Sequence, residues 1–574
     1  MGANGIYGLS GSGLDIESLV KMGMMNKQKQ YDKMYQNEMK QEWLKEAYVG
    51  VYDSMKTFKN NMTDFKLQSN MSAMNATSTN EDIVSVSANG AAAAMSHKVS
   101  VSKVASNAYI MTGMDGSDPA TIDFKNHDNP GKNYLMDVMY ADVETIDDGN
   151  GNYQYKIKDE HGNEIKTVNG SDTAIKLTLK DSSNSNARSY EVSLTYDDII
   201  QDKKTLSDLA SAINKSEANI QAGFDTANGS FSMYNKTSGE KNIINITAGN
   251  SDTATLLNNL HLASYNAQDN TLGAALSFNA GTAVEAAKGT NAQATIDGKT
   301  YNLESNKITV AGVTYNFNNV SEAGKTTTVN VSQDTDKIVD NVKKFVDMYN
   351  TLLDSLNDKL SEEKYSDYKP LTKEQEAEMT EEQIKKWNEK AKSGLLYNNS
   401  QVRTLVSDMR EALYTPVDAV DSKYNSLSAI GITTTTTKGH VTLDEDKLRK
   451  ALTEDPDCVY QLFASDQDSS YIAGSTNTNK LTAYEKKEDY KNTGVANRLY
   501  NAMTDNMSIF ENYAGTSKAT DDQSYLGKLI SNMHTRMTSF QTLMKSYENK
   551  LYDKYDAMEV ALSKLGAQLS YITG

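Results

Sequence analysis

The sequence predicts a multidomain α+β protein. A long, coiled-coil-like helical stalk is built from both ends of the chain, and a β-rich head of two subdomains is inserted between them. Three observations predict this. From Leu526 to Ile572, apolar residues recur at Leu526, Ile530, Met533, Met537, Phe540, Met544, Tyr547, Leu551, Tyr555, Met558, Leu562, Leu565, Leu569 and Ile572. Steps of four and three alternate, with one additional four between Leu551 and Met558, which makes a heptad seam with a stutter. A helix over this stretch is roughly 70 Å long at 1.5 Å per residue. Near the other end, Leu44, Tyr48, Val51, Met55, Phe58, Met62 and Phe65 repeat the same spacing. Between residues 80 and 332 the composition turns to Thr, Ser, Asn and Gly in short alternating runs.

In chain order, residues 1–42 are expected as a mobile N-terminal segment and 43–79 as a stalk helix. Met1–Leu14 is Gly/Ser-rich and uncharged, as is Leu565–Gly574. Uncharged, partly apolar ends suit burial in an assembly. Asp15 and Glu17 stand where a helix N-terminus favours negative charge, so the helical pattern itself already starts near Asp15 and runs to Phe65. Residues 80–111 with 285–332 form the first β-rich head domain, and 112–284 the second. His97–Ser102 alternates with period two. Tyr153–Lys158, a polar turn and Ile165 read as a hairpin, and Asp297–Gly298 between two apolar runs is a two-residue hairpin signal. Thr205–Asn214 is a short amphipathic helix with Leu206, Leu209, Ala210 and Ile213 on one side.

Residues 333–540 form the returning helical stalk domain and 541–574 a coiled-coil tail. Ile338, Val342, Phe345, Tyr349, Leu352 and Leu356 mark its first helix. Thr372 with Gln375, and Thr380 with Gln383, are capping boxes. A helix near Gln401–Leu413, a strand at His440–Leu443 and a helix from Asp444 to Thr453 follow, and Pro456 stands at the first turn of the next helix. The stretch 465–520 carries the weakest pattern.

The 574 residues carry a net charge of −18. Nucleic-acid binders usually present a basic face, so this acidity excludes a polyanion partner. The absence of an 18-residue apolar run excludes membrane insertion by a helix. The N-terminus has neither the basic start nor the apolar stretch of a secretory signal peptide. With Cys458 alone, no disulfide framework forms within the chain, and that residue reads as a small packed side chain. The six histidines include no i, i+4 pair, so no zinc site is expected. Gly8, Gly11 and Gly13 do not form a GxGxxG element. Asp148–Asn152 looks like the start of a calcium loop but has Tyr153 where that loop needs glycine, so a hairpin turn is expected instead. No nucleophile, base and orienting group can be assembled. The expectation is a protein with no catalytic residue, no cofactor and no metal.

Several stretches together resemble a known family, the flagellar filament cap proteins, also called hook-associated protein 2. Gly11–Val20, reading GSGLDIESLV, is similar to the family's opening pattern, and Ser96–Ala105 to the strand that opens its head. Thr205–Asn214, followed by Phe224-Asp225 and Gly229–Ser232, resembles a motif shared by flagellins and hook-associated proteins. Asp334–Asn350, Gly431–Phe463 and Tyr555–Tyr571 resemble the returning helix, the C-terminal region and the tail. The resemblance implies export through the growing flagellum by the flagellar export apparatus with an export chaperone, and an extracellular position at the flagellum tip. It further implies self-assembly into a small ring, with a pentamer as the expected size. Such a cap promotes folding and polymerisation of flagellin and prevents loss of its monomers. One cysteine and five prolines fit that route, because little slows refolding. Alternatives are a flagellum-tip adhesin whose head binds mucin or host glycans, and a hook–filament junction protein. The long region after Asp334 argues against flagellin itself.

The seams Leu44–Phe65, Ile338–Leu356 and Leu526–Met544 are expected to pack within one chain as antiparallel helices. The segment from Leu551 onward is expected to be buried between chains. The candidate interface residues are Leu14, Ile16, Leu19, Val20, Leu551, Tyr555, Met558, Leu562, Leu565, Leu569 and Ile572.

Overall fold

Asp15 starts the first helix. Its carboxylate accepts from the Ser18 backbone N–H at 3.0 Å and from the Ser18 hydroxyl at 2.5 Å, and Glu17 adds negative charge to the first turn. The Ser18 hydrogen bonds hold the Asp15 carboxyl below its ordinary range. No proline follows, so α1 runs unbroken from Ile16 to Met62. This corrects the division into a mobile segment at 1–42 and a helix at 43–79. The capped start and a long partner helix keep the first half of α1 helical, and the chain leaves the helix before 79. A turn at Asp64–Lys66 and a short helix at Gln68–Met71 lead into a strand at Met74. The computed structural model describes residues 15–115, 118–147, 149, 151–266, 270–420, 423–434, 438–465, 489–517 and 522–573.

The described residues divide into two units, Met1–Ala73 with Gln333–Gly574, and Met74–Ser332. The first is helical. After α1 its principal helices are α2 (Thr335–Ser361), α3 (Ser400–Tyr414), α4 (Glu445–Glu454), α5 (Cys458–Ala464), α6 (Val495–Ala514) and α7 (Tyr525–Thr573). Each has a local reason to begin. Asp334, Asn399 and Asp444 cap α2, α3 and α4 with their side chains. Both capping boxes form, at Thr372/Gln375 and Thr380/Gln383. The core takes Tyr48 to Phe65 from α1, Ile338 to Leu356 from α2 and Leu526 from α7. Phe345 is its aromatic centre, edge-on to Phe65 at 5.6 Å and to Phe463 at 4.8 Å.

A partner missing from the sequence reading is α6. It lies along the second half of α1, where Tyr48 meets Phe510 at 5.3 Å and Tyr513 at 4.8 Å. Arg498 of α6 is 1 % exposed. Its guanidinium donates to the carbonyls of Tyr490 and Pro416, both at 2.8 Å, to that of Lys491 at 2.8 Å, and to that of Thr415. Five planar donors suit this convergence of carbonyls. Cys458 packs in the same core, and burial pushes its thiol up to about 12.

The second unit is β-rich and contains two cores. One is formed by a five-stranded sheet ordered Met74–Ser78, Thr327–Gln333, Ser96–Lys103, Ala292–Ile296 and Lys299–Leu303, with a three-stranded sheet ordered Val84–Ala88, Val313–Phe317 and Lys307–Val310. Asp297 and Gly298 both take positive φ, 48° and 81°, which closes the expected two-residue hairpin. The other core lies among sheets that include Asn107–Thr112, Thr173–Ser182, Ser230–Ser238 and Asn242–Ala248, and the helix Leu206–Lys215, capped by Thr205 and Asp208. The chain crosses between the cores at Ser106 and Thr290, which exchange two backbone hydrogen bonds of 3.0 Å. Residues 107–111 therefore pack with the second core, not the first. Asp142–Asp147 pairs antiparallel with Tyr153–Lys158, so the Asp148–Asn152 segment is a hairpin connection. A buried network fixes this core. Asp252 accepts from Tyr140 at 2.8 Å, Tyr196 at 2.5 Å and Lys166 at 2.5 Å.

Candidate assembly surface at the terminal helices

α1 and α7 form an antiparallel pair, because partner numbers in α7 fall as those in α1 rise. Ile16 and Val20 cluster with Leu551, bordered by Met24, Tyr552 and Tyr555. Further along, Lys27 lies over the rings of Phe540 and Tyr547 at 5.7 and 5.9 Å. Gln541 donates to the Tyr31 hydroxyl at 2.6 Å, His534 faces Glu38 at 3.1 Å, and Lys45 pairs with Asp522. Glu38 is a buried acid in this seam. The neighbouring Glu42 carboxyl is pushed up by burial and then by Glu38. The closest approach is at Gly23. A Cβ there would stand 2.7 Å from Leu551 Cδ1, so the glycine is the socket for the leucine.

This arrangement divides the candidate interface residues. Ile16, Val20 and Leu551 are buried together within the chain. Leu551 is 8 % exposed, which corrects its assignment to a contact between chains. The reason is that α1 begins early enough to cover it. Leu19 and Tyr555 are half-buried. Met558, Leu562, Leu565 and Leu569 are exposed, Leu565 to 60 %. Leu14 lies outside the described residues, and Ile572 lies in α7 with its side chain outside them. The sequence reading missed Gly23, Met24 and Met25. An isolated glycine beside a methionine cluster inside a helical pattern was the available signal.

The family model for the flagellar hook-associated protein 2 N-terminus matches residues 12–108, and that for its C-terminus matches residues 289–567. The chain belongs to the flagellar hook-associated protein 2 family. The flagellar hook-associated protein 2 of Halalkalibacterium halodurans is 28% identical over 574 residues, 97% of each chain. The B-type flagellar hook-associated protein 2 of Pseudomonas aeruginosa is 30% identical over 260 residues, 44% of this chain and 48% of that one. Among solved structures, the D1-D2-D3 domains of the flagellar cap protein FliD from Escherichia coli align with a TM-score of 0.49 at 20% identity. That alignment covers 85% of this chain and 99% of that one.

In this member of the flagellar hook-associated protein 2 family, a groove of about 850 Å³ opens beside the Leu551 cluster. Its apolar lining is Val20, Met24, Met25, Met544 and Tyr552, and its rim carries charges of both signs. A third wall, with Glu374 and Glu378, comes from the segment after Pro370. That segment is tied to α1 by Gln36, which donates to the Pro370 carbonyl at 2.8 Å, and by Lys392 with Glu46 at 2.8 Å. Methionine is unbranched and polarizable and adapts to different occupants. Among the described residues, no group of three or more His, Cys, Asp or Glu could hold a metal ion. No helix among them is long and apolar enough to cross a membrane. The surface offers apolar and charged contacts and assembles no reacting centre.

Proposed function

We propose that the protein is the structural cap at the distal end of the bacterial flagellar filament, outside the cell. There it promotes folding and polymerisation of flagellin and prevents loss of flagellin monomers. It acts as a homo-oligomer and makes or breaks no bond. An export chaperone and the flagellar export apparatus deliver it. The observation that carries this reading, beside the family, is the exposed apolar stripe of α7 after Tyr555. A solvent-exposed row of Met558, Leu562 and Leu565 on one helix face is costly for a lone chain and is the kind of surface that assembly covers. The test is a truncation ending at residue 550, compared with the full chain. Light scattering should find a small closed oligomer that dissociates on truncation, and cells carrying the truncation should shed flagellin and build no filament. Normal filament growth with the truncated chain would reject the anchoring role of the tail.

A second reading, an adhesin that takes glycans through the β-rich unit, is favoured by one feature. Tyr234, Tyr109 and Tyr265 stand side by side on three neighbouring strands, with ring centroids 6.0 and 5.0 Å apart. Tyr234 is exposed. Such rings offer broad apolar contact with polar tips. Saturable glycan binding by the full chain that is lost in Tyr234→Ala supports this role, and equal binding by both removes it.

A further inference from the structure

Two apolar surfaces of the helical unit remain open among the described residues: the methionine-lined groove and the stripe Met558, Leu562 and Leu565. They cannot satisfy each other within one chain. One wall of the groove is α7 itself, from Gln541 to Tyr552, and the stripe lies further along the same unbroken helix. From Met544 to Met558 the helix advances about 21 Å, away from the groove. A helix cannot turn back onto its own side without a break.

We propose that the groove of one copy receives the α7 tail of a second copy. The observations that select a second copy are continuity and charge. The stripe continues the α1–α7 seam past Tyr555 with the same steps of four and three, so it already has the face that packs on these helices. The rim presents Glu17 and Glu374 together with Lys21 and Lys545, and the tail carries Asp556, Glu559 and Lys564. Both surfaces are mixed in sign, so no single-sign field keeps them apart. The contact joins two different patches, tail to groove. It is heterologous, and a heterologous contact that closes generates a ring. The inference rests on the cap reading for the existence of an oligomer and adds the contact that links its subunits.

The test uses the full chain carrying either Met25→Cys in the groove or Leu562→Cys on the tail. Cys458 is buried and stays silent in the folded protein. Mixing the two variants with a short bismaleimide should give a cross-linked dimer that neither variant gives alone. A chain with both substitutions should give a ladder. Tyr397→Cys, exposed elsewhere in the same unit, replaces Met25→Cys as the control and should give no product. An oligomer seen by light scattering without the cross-link overturns the proposal, as does a monomer that gives no cross-link at any concentration. Cross-linking that appears only after deletion of residues 2–14 also overturns it, because the stripe is then covered by the chain's own N-terminal segment. Met24→Asp with Met25→Asp separates this inference from the cap reading. Loss of the oligomer with helical content kept supports tail-in-groove contact. An intact oligomer and growing filaments overturn that contact and leave the cap reading standing.

Discussion

Replacing Leu551 with alanine isolates the energy that joins the start of α1 to the middle of α7. The side chain sits over Gly23 and touches Ile16 and Val20, in a cluster separate from the main helical core. A buried Leu→Ala change costs about 2–5 kcal/mol, depending on how far the site collapses. This cluster is small and flanked by half-exposed Met24, Tyr552 and Tyr555, so the lower end, about 2 kcal/mol, applies. At 1.36 kcal/mol per decade that is roughly a 30-fold change in a local opening equilibrium. Hydrogen exchange followed by mass spectrometry reads it peptide by peptide. Amides near Ile16–Met24 and around Leu551 should exchange roughly 30-fold faster, while those of α2 keep their protection, because α2 contributes nothing to this cluster. Unchanged exchange in the terminal peptides would refute the reasoning. So would equal acceleration in α2, since the two ends would then unfold only with the whole unit.

Gly23→Ala should be nearly neutral in thermal denaturation, within about 0.5 kcal/mol, because the helix gains about 1 kcal/mol of propensity while the flexible Leu551 tip shifts aside. Gly23→Leu should reproduce the Leu551→Ala exchange pattern by displacing that side chain. Arg498→Met should destabilise the helical unit by at least about 3 kcal/mol in denaturant titration, since several buried carbonyls lose their donor. Arg498→Lys should not rescue it, because one ammonium cannot reproduce the planar fork. Asp408 is held above the ordinary carboxyl range by burial, against the Asn506 hydrogen bond and with Asp505 adding repulsion. A raised folded pKa means that stability is fully present at low pH and is lost as the pH rises through that value. Asp408→Asn should therefore raise the melting temperature at neutral pH, with the gain vanishing below about pH 4. The Cys458 thiol, buried and pushed up to about 12, should resist maleimide at neutral pH and react fully once denatured.

Local features were legible from the residues alone. The caps at Thr205, Asp334, Thr372, Thr380 and Asp444 and the turn at Asp297–Gly298 follow from side-chain chemistry within four residues. Heptad spacing likewise marks the apolar face of α7, and alternation marks the strands. The partners that cover each face were not legible. Period tells which side of a helix avoids water, but many apolar faces in one chain satisfy the same condition. Tertiary packing chose α6 for the second half of α1, turned Leu551 inward onto Gly23 and left Met558, Leu562 and Leu565 exposed. It also gathered Val20, Met25, Glu374, Met544 and Tyr552 into one groove. Those residues come from segments hundreds of positions apart, and only the folded chain brings them together.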